Sequence, residues 1–145
     1  MSESKFEPGL VPELLVASTD KSIAFWVELC GFSVRYERPD EGFAYLTNGT
    51  THLMLDQEGV GRDWTTGKLE RPLGRGMNLQ IAVPNAAALA VKLTAAGWAL
   101  FMPLETKWYL TGSTESGVEQ FLVQDPDGYL VRFQSTAGSR SAPQA

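Results

Sequence analysis

Hydrophobic residues in the first half of the chain recur at strand-like and then helix-like spacings. An apolar run over Val11–Val16 predicts a short strand. A helix that begins at Thr19 or Asp20 follows, because the next apolar positions recur at helical spacing. Those positions are Ile23, Trp26, Val27 and Cys30. We expect Gly31 to end this helix, since glycine readily adopts the left-handed conformation found after helix ends.

Three more strand-like segments follow this helix. They are Phe32–Arg38, Phe43–Thr47 and His52–Asp56. Pro39–Gly42 separates the first from the second, and Asn48-Gly49, between the second and third, is a strong hairpin signal. The predicted order in this half is strand, helix, strand, strand, strand.

The second half repeats this order. Met77–Val83 predicts a strand, and a helix opens at Pro84-Asn85 and ends at Gly97. One face of that helix carries Ala86, Leu89, Ala90 and Leu93. The remaining predicted strands are Trp98–Leu104, Val118–Gln124 and Tyr129–Gln134, with the turn Asp125–Gly128 before the last.

This duplication predicts an α+β fold of two βαβββ modules. The expected boundaries are a flexible N-terminus over 1–9, a module over 10–57, a linker over 58–74, a module over 75–136 and a flexible tail over 137–145. Each module would form a curved four-stranded sheet with one helix on its outer face, and the inner faces would line a cleft. We expect an inserted loop over 105–117 to carry Trp108 and Tyr109.

Strand alternation sorts the side chains of these modules by face. Residues two apart along a strand point to the same side, so the apolar positions go to the helix and the polar ones to the cleft. The polar set predicted for the cleft is Glu13, His52, Asp56, Asn78, Gln80 and Arg132.

Composition narrows the function classes. The 145 residues carry a net charge of −5 and no basic stripe, which argues against a nucleic-acid partner. No apolar stretch is long enough for a transmembrane helix, and the N-terminus lacks the secretory pattern. With Cys30 as the single cysteine, no internal disulfide is available. We therefore expect a cytoplasmic protein with no membrane partner.

Three segments together resemble the vicinal-oxygen-chelate superfamily. They are PELLVASTDKSIAFWVELCGF over 12–32, RGMNLQIAV with its helix over 75–96, and QFLVQDPDGYLVRFQ over 120–134. This superfamily includes glyoxalase I, extradiol dioxygenases, fosfomycin-resistance enzymes and bleomycin-resistance proteins. The resemblance covers about residues 10–136 and implies the glyoxalase/bleomycin-resistance fold.

Metal-dependent members place a His, a Glu, a His and a Glu on the first, fourth, fifth and eighth strands. The matching positions here are Val11, Met54 or Asp56, Asn78 and Arg132. Val11 has no donor atom, Asn78 is a poor ligand and Arg132 would repel a cation. The resemblance therefore implies no metal, no cofactor and no catalytic residue. A non-standard metal site of Glu13, His52 and Asp56 stays open as an alternative.

Because it lacks these metal ligands, the sequence resembles the bleomycin-resistance branch of the superfamily. That branch implies an acidic homodimer, often with exchanged N-terminal strands, that sequesters a cationic glycopeptide antibiotic in clefts at the subunit interface. The expected ligand-binding residues are Tyr36, Phe43, Tyr45, Asp56, Trp64, Asn78, Gln80, Trp108, Tyr109 and Arg132. Glu58 and Asp63 would add negative charge, and stacking and cation–π contacts would hold the ligand.

Two questions stay open at this point. The alternatives to sequestration are a glyoxalase-like lyase or dioxygenase with an atypical metal site, and a binder of another metabolite. Arg132 either forms a salt bridge with Glu13 or Asp56, or receives an anionic or carbonyl group of a ligand.

Overall fold

The chain forms two compact units. The structure, a computed structural model, describes residues 7–143. The first unit (unit 1) ends at Arg71 and the second (unit 2) begins at Pro72. Each contains one four-stranded mixed sheet, so the predicted α+β fold with a duplicated strand–helix–strand–strand–strand order is confirmed.

Unit 1 contains four strands and one helical segment. Its elements are β1 Glu13–Val16, α1 Thr19–Ile23 continued by a π-helical segment Ala24–Leu29, β2 Ser33–Arg38, a 3₁₀ turn Pro39–Glu41, β3 Phe43–Asn48 and β4 Thr51–Gln57. The sheet order is β1-β4-β3-β2, with β1 parallel to β4 and the other pairs antiparallel. The Asn48-Gly49 hairpin is present between β3 and β4.

The helix of unit 1 differs from its prediction in two ways. Ser18, and not Thr19 or Asp20, caps it, since the Ser18 hydroxyl accepts the backbone N–H of Lys21 at 3.3 Å. Its second part is π-helical, a wider winding that simple 3.6-residue spacing does not anticipate. As a result the adjacent Phe25 and Trp26 are both buried, with ring centroids 5.3 Å apart.

Unit 2 repeats the arrangement with longer strands. Its elements are β5 Asn78–Ala82, α2 Ala86–Ala95, β6 Met102–Thr111, β7 Thr114–Gln124 and β8 Leu130–Ser141. The order is β5-β8-β7-β6, with β5 parallel to β8 and the other pairs antiparallel. Asn85 caps α2 by accepting the backbone N–H of Ala88 at 3.0 Å.

The predicted loop over 105–117 is wrong, because these residues form a long hairpin of β6 and β7. The chain reverses at Gly112-Ser113, where Gly112 has a φ of 78°. The preceding strand was predicted too early: Trp98 lies before β6 and its indole N–H donates to the Gln124 carbonyl at 2.8 Å.

The last strand is also longer than predicted. β8 continues past Gln134 to Ser141 because the extended β7 supplies partners, the final pair being Thr114 and Ser141. Part of the predicted tail therefore belongs to the sheet.

The cores of both units lie between helix and sheet. In unit 1 the helix-side residues Leu14, Leu53 and Leu55 are buried, as predicted from alternation. In unit 2, Val131 and Phe133 are buried on the helix side. Among residues 7–143, no helix is both long enough and apolar enough to cross a lipid bilayer.

Candidate functional site

An aromatic row crosses the sheet face of unit 1 that lies away from the helix. Strand register pairs Tyr36 with Tyr45 and Arg38 with Phe43. The Tyr36 and Tyr45 rings are stacked at 5.1 Å, and the Tyr36 and Phe43 ring centroids are 6.1 Å apart. Tyr36 thus contacts two other predicted ligand-binding residues, Phe43 and Tyr45.

A buried hydrogen bond holds one ring of this row in place. The Tyr45 hydroxyl and His52 Nδ1 are 2.7 Å apart, and both side chains are buried. This bond fixes the Tyr45 ring, on which Tyr36 stacks. His52 therefore has a structural role in the row.

A cavity of about 580 Å³ opens at the end of the aromatic row. It is lined by Glu13, Arg38, Asp40, Glu41, Phe43, Asp56, Val60, Gly61, Arg62 and Trp64. Four of these side chains are carboxylic acids and two are arginines. We call this cavity, which lies entirely within unit 1, the acidic pocket. It contains Phe43, Asp56 and Trp64 from the predicted ligand-binding set.

Strand register brings two of the carboxyl groups together. The parallel pairing of β1 and β4 sets Glu13 beside Met54 and Leu15 beside Asp56. Glu13 and Asp56 therefore occupy neighbouring positions of one sheet face.

The rim of the acidic pocket depends on a glycine. Gly42 follows the 3₁₀ turn with a φ of 63°, and a Cβ atom there would lie 2.8 Å from the Gln57 Cβ. Only glycine fits both demands. The segment after β4 is held in turn by Asp63, whose carboxylate accepts the Gly59 N–H at 3.1 Å.

The two arginines of the pocket lie over its aromatic side chains. Arg38 lies 4.0 Å from the Phe43 ring centroid and donates to Glu41 at 2.6 Å. Arg62 lies 5.3 Å from the Trp64 ring centroid, and Trp64 is 74% exposed. The protein's own cations thus occupy faces on which a planar cation could stack.

Two carboxyl groups of the pocket are harder to ionise than usual. Partial burial, and then the nearby Asp56 carboxylate, raise the pKa of Glu13 above its ordinary 4.5. Burial, and then the charge of Asp63, raise the pKa of Asp56 above 3.8, although Arg38 opposes both shifts. Burial is the largest cause of both shifts, and neighbouring carboxylates add to it.

The other predicted ligand-binding residues lie in unit 2. Asn78, Gln80 and Arg132 share the sheet face away from α2, and the Arg132 Nη2 donates to the Gln80 Oε1 at 2.5 Å. Tyr109 shares this face, and its hydroxyl accepts the Gln120 Nε2 at 2.7 Å.

Trp108 points to the opposite side of β6 from Tyr109. Its ring lies against Gly117 of β7, where an added Cβ would be 2.7 Å from the indole Cζ3. The Arg140 guanidinium covers the ring at 4.0 Å. The contacts of Trp108 are therefore packing contacts within the hairpin.

Sequence reasoning did not single out several pocket residues. They are Arg38, Asp40, Glu41, Val60, Gly61 and Arg62. The sequence predicts the turn Pro39–Gly42, but the position of this turn beside the loop after β4 depends on the register of the sheet. Glu58 and Asp63 do not line the pocket: Glu58 pairs with Arg71 at 3.4 Å.

The residues at the superfamily's metal positions do not fit a divalent cation. Val11 has no donor atom, and Asn78 has only an amide. Arg132 is positively charged, and its guanidinium donates a hydrogen bond to Gln80. Within residues 7–143, no group of three or more His, Cys, Asp or Glu side chains is arranged to hold a metal ion. That finding includes the alternative set of Glu13, His52 and Asp56.

Solved structures that are similar to this chain come from several bacteria. TioX of Micromonospora sp. ML1 has a TM-score of 0.67 and 24% identity, covering 89% of this chain and 98% of its own. A virulence protein of Salmonella typhimurium has a TM-score of 0.64 and 19% identity, covering 89% and 96%. A glyoxalase/bleomycin resistance protein/dioxygenase superfamily member of Vibrio splendidus 12B01 is 37% identical, covering 86% and 94%, with a TM-score of 0.39.

No curated protein matches the chain. The family model described as the glyoxalase/bleomycin resistance protein/dioxygenase superfamily matches residues 11–133, which is most of the sequence. The match agrees with the duplicated βαβββ order and with the resemblance of the three sequence segments. The chain therefore belongs to the glyoxalase/bleomycin resistance protein/dioxygenase superfamily.

Proposed function

We propose that this protein binds a cationic small molecule without a metal and sequesters it, in the manner of the bleomycin-resistance branch. The observation that carries the proposal is the acidic pocket of unit 1. Carboxylates and the exposed Trp64 ring line the same cavity there, and a planar cation needs both kinds of group.

The balance of charge in the pocket favours a cation. Four carboxyl groups line it against two guanidinium groups, and Arg38 is already paired with Glu41. The pKa values of Glu13 and Asp56 are raised first by burial and then by a neighbouring carboxylate, Asp56 for the former and Asp63 for the latter. A bound cation would lower both pKa values and so gain affinity from the ionised forms.

The aromatic side chains supply the second half of the recognition. Trp64 is largely exposed in an irregular segment, so a planar cation can stack on the indole face that Arg62 does not cover. Phe43 and Tyr45 are buried beside this cavity, and the exposed Tyr36 ring, which stacks on Tyr45, is the further aromatic face. Each cation–π contact contributes about 0.5–2 kcal/mol, so several are needed to hold a drug-sized ligand.

The proposed ligand class is a bleomycin-like cationic glycopeptide, and the proposed working form is a cytoplasmic homodimer. The ligand class and the homodimer come from the resemblance, the cytoplasmic location comes from the composition, and the acidic pocket is structural support for the ligand class. Binding of another cationic metabolite would use the same pocket and differ only in the ligand.

The experiment is a fluorescence titration of chelator-treated protein with a bleomycin-class drug. We expect saturable quenching and chemically unchanged drug in the recovered complex, as judged by mass spectrometry. Trp64→Ala should weaken binding about 5–20-fold, the effect of one lost stacking residue. Phe101→Ala, which removes an exposed aromatic of unit 2, is the matched control and should bind normally.

Two results would overturn the proposal. Absence of saturable binding would reject the ligand class. Conversion of the drug, or turnover of a glyoxalase or dioxygenase substrate that a chelator abolishes, would favour the enzyme alternative.

A further inference from the structure

Within unit 2, Arg132 is a half-buried cation without a counterion. The polar contact that holds its guanidinium comes from a neutral amide, Gln80 Oε1, at 2.5 Å. Its Nε is fully occluded and has no hydrogen-bond acceptor among the residues described. The two roles predicted from the sequence, a salt bridge with Glu13 or Asp56 and a contact with an anionic or carbonyl group of a ligand, both stay predictions.

Neutral side chains surround Arg132 on its sheet face. Strand register sets Gln80 of β5 and Leu122 of β7 directly beside it. Its eight nearest same-face positions are Asn78, Gln80, Ala82, Gln120, Leu122, Gln124, Leu130 and Gln134. None of the eight is charged and five are amides. The nearest carboxylate on this face, Glu105, lies on β6, two strands away, and accepts from Gln120 at 3.0 Å.

This arrangement is unfavourable in the free protein. A partly desolvated charge costs free energy unless an opposite charge or enough hydrogen bonds compensate it. A second buried polar group nearby also lacks a hydrogen-bond partner. Gln120 is 3% exposed, and its Oε1 accepts no hydrogen bond in the described structure. A stable sheet would lose little by replacing Arg132 with an apolar residue, so packing alone does not account for it.

We propose that the open sheet face of unit 2 binds the carboxylate of a small molecule at Arg132. The guanidinium supplies the charge and a planar set of N–H donors that match a carboxylate. Gln80 orients the guanidinium, and the amide groups of Asn78 and Gln134 flank the place where the ligand oxygens would lie. This site does not rest on the acidic pocket, because all of its residues belong to unit 2.

The proposal also explains the mismatch with the superfamily's metal positions. Where metal-dependent members carry a Glu on the eighth strand, this chain carries Arg132, so the sign of the charge at that position is reversed. A guanidinium binds an anionic ligand oxygen directly, whereas a carboxylate at this position binds such an oxygen only through a bridging cation. The two arrangements therefore select ligands by different chemistry.

The test is an NMR titration of the full chain with sodium benzoate, with inorganic phosphate in a parallel sample. We expect benzoate to shift the Arg132 Nε–H resonance and the backbone amides of residues 78–80 and 130–134. Arg132→Gln should weaken benzoate binding at least about tenfold, as expected for a lost charge-assisted pair. Arg132→Lys keeps the charge without the planar fork and should fall in between. Arg140→Gln, which removes an arginine paired with Glu115, is the control and should bind as the wild type does.

Benzoate that leaves these resonances unmoved up to its solubility limit would overturn the proposal. So would equal binding by Arg132→Gln, with its backbone spectrum showing an intact fold. Tighter binding of phosphate than of benzoate would reject the carboxylate class.

Discussion

At the scale of single residues, Glu13 and Asp56 combine a stability cost with a proposed role in binding. A carboxyl group whose pKa is raised in the folded state binds protons more tightly when folded. Its contribution to stability is present below the unfolded-state pKa and is lost as the pH rises through the folded-state pKa. At neutral pH the ionised Glu13 and Asp56 therefore oppose folding, by an amount that solvent screening keeps small.

Glu13→Gln and Asp56→Asn should therefore raise the Tm at neutral pH, by about 1–4 °C for a domain of this size. The same variants should weaken binding of a cationic ligand about tenfold, because each loses one charge-assisted contact. Differential scanning calorimetry and a ligand titration measure the two effects. A lower Tm together with unchanged affinity would show that neither carboxylate belongs to the site.

Cation affinity should also depend on pH. As the pH falls through the raised pKa values of Glu13 and Asp56, the carboxylates become neutral and affinity drops. Because both values are raised, the loss begins at a higher pH than the ordinary 4.5 and 3.8 would allow. Titrations at several pH values check this, and an affinity that is flat down to pH 4 would contradict it.

Arg38 should act as an internal competitor for a bound cation. Its guanidinium already covers Phe43 and neutralises Glu41. Arg38→Gln should thus strengthen binding several-fold, on the order of one cation–π contact. Reduced affinity in this variant would mean that Arg38 itself holds the ligand.

The sequence predicts which residues share a site only where alternation along a strand assigns their side chains to one face of the sheet. Glu13 and Asp56 were predicted to share a face because alternation along β1 and β4 requires it. Arg38 and Glu41 were missed, since their approach to Phe43 and Asp56 depends on how a turn folds over the sheet edge.

At the scale of elements, the β6–β7 hairpin depends on one glycine and one tryptophan. Gly117 leaves room for the Trp108 ring, so Gly117→Ala should lower the free energy of unfolding by about 1–3 kcal/mol through overpacking. In the Trp108→Leu background the same substitution should cost much less. Chemical denaturation of the four proteins in this cycle measures the coupling, and additive losses would show that the two residues do not compete for space.

Prediction of the hairpin failed for a related reason. Residues 105–117 are polar and mostly exposed, so they lack the apolar alternation that indicates a half-buried strand. The two-residue turn Gly112-Ser113 between Leu110-Thr111 and Thr114 was the available signal. The shorter strands β1, β3, β4 and β5 were predicted well because one face of each is buried.

At the scale of the whole molecule, the duplicated order of strands and helices follows from the sequence alone. Helix caps and glycine stops recur at matching points of both halves, and each unit has the predicted order of strands and helix along the chain. The long β6–β7 hairpin of unit 2 over residues 105–117 has no counterpart in unit 1, so the repeat could not predict it.

The homodimer implied by the bleomycin-resistance branch remains a prediction. Sedimentation equilibrium should give twice the 15.9 kDa chain mass. A monomeric mass at all concentrations would remove the dimer clefts from the proposal and leave the acidic pocket as its basis.

The most direct test of the acidic pocket is an NMR titration with benzamidinium, the planar cation that matches benzoate in shape. We predict shifts of the backbone amides at residues 38–43 and 56–64, and their reduction in Asp56→Asn. Benzamidinium that leaves these amides unmoved, or that shifts Asp56→Asn equally, would contradict a cation-binding function for this pocket.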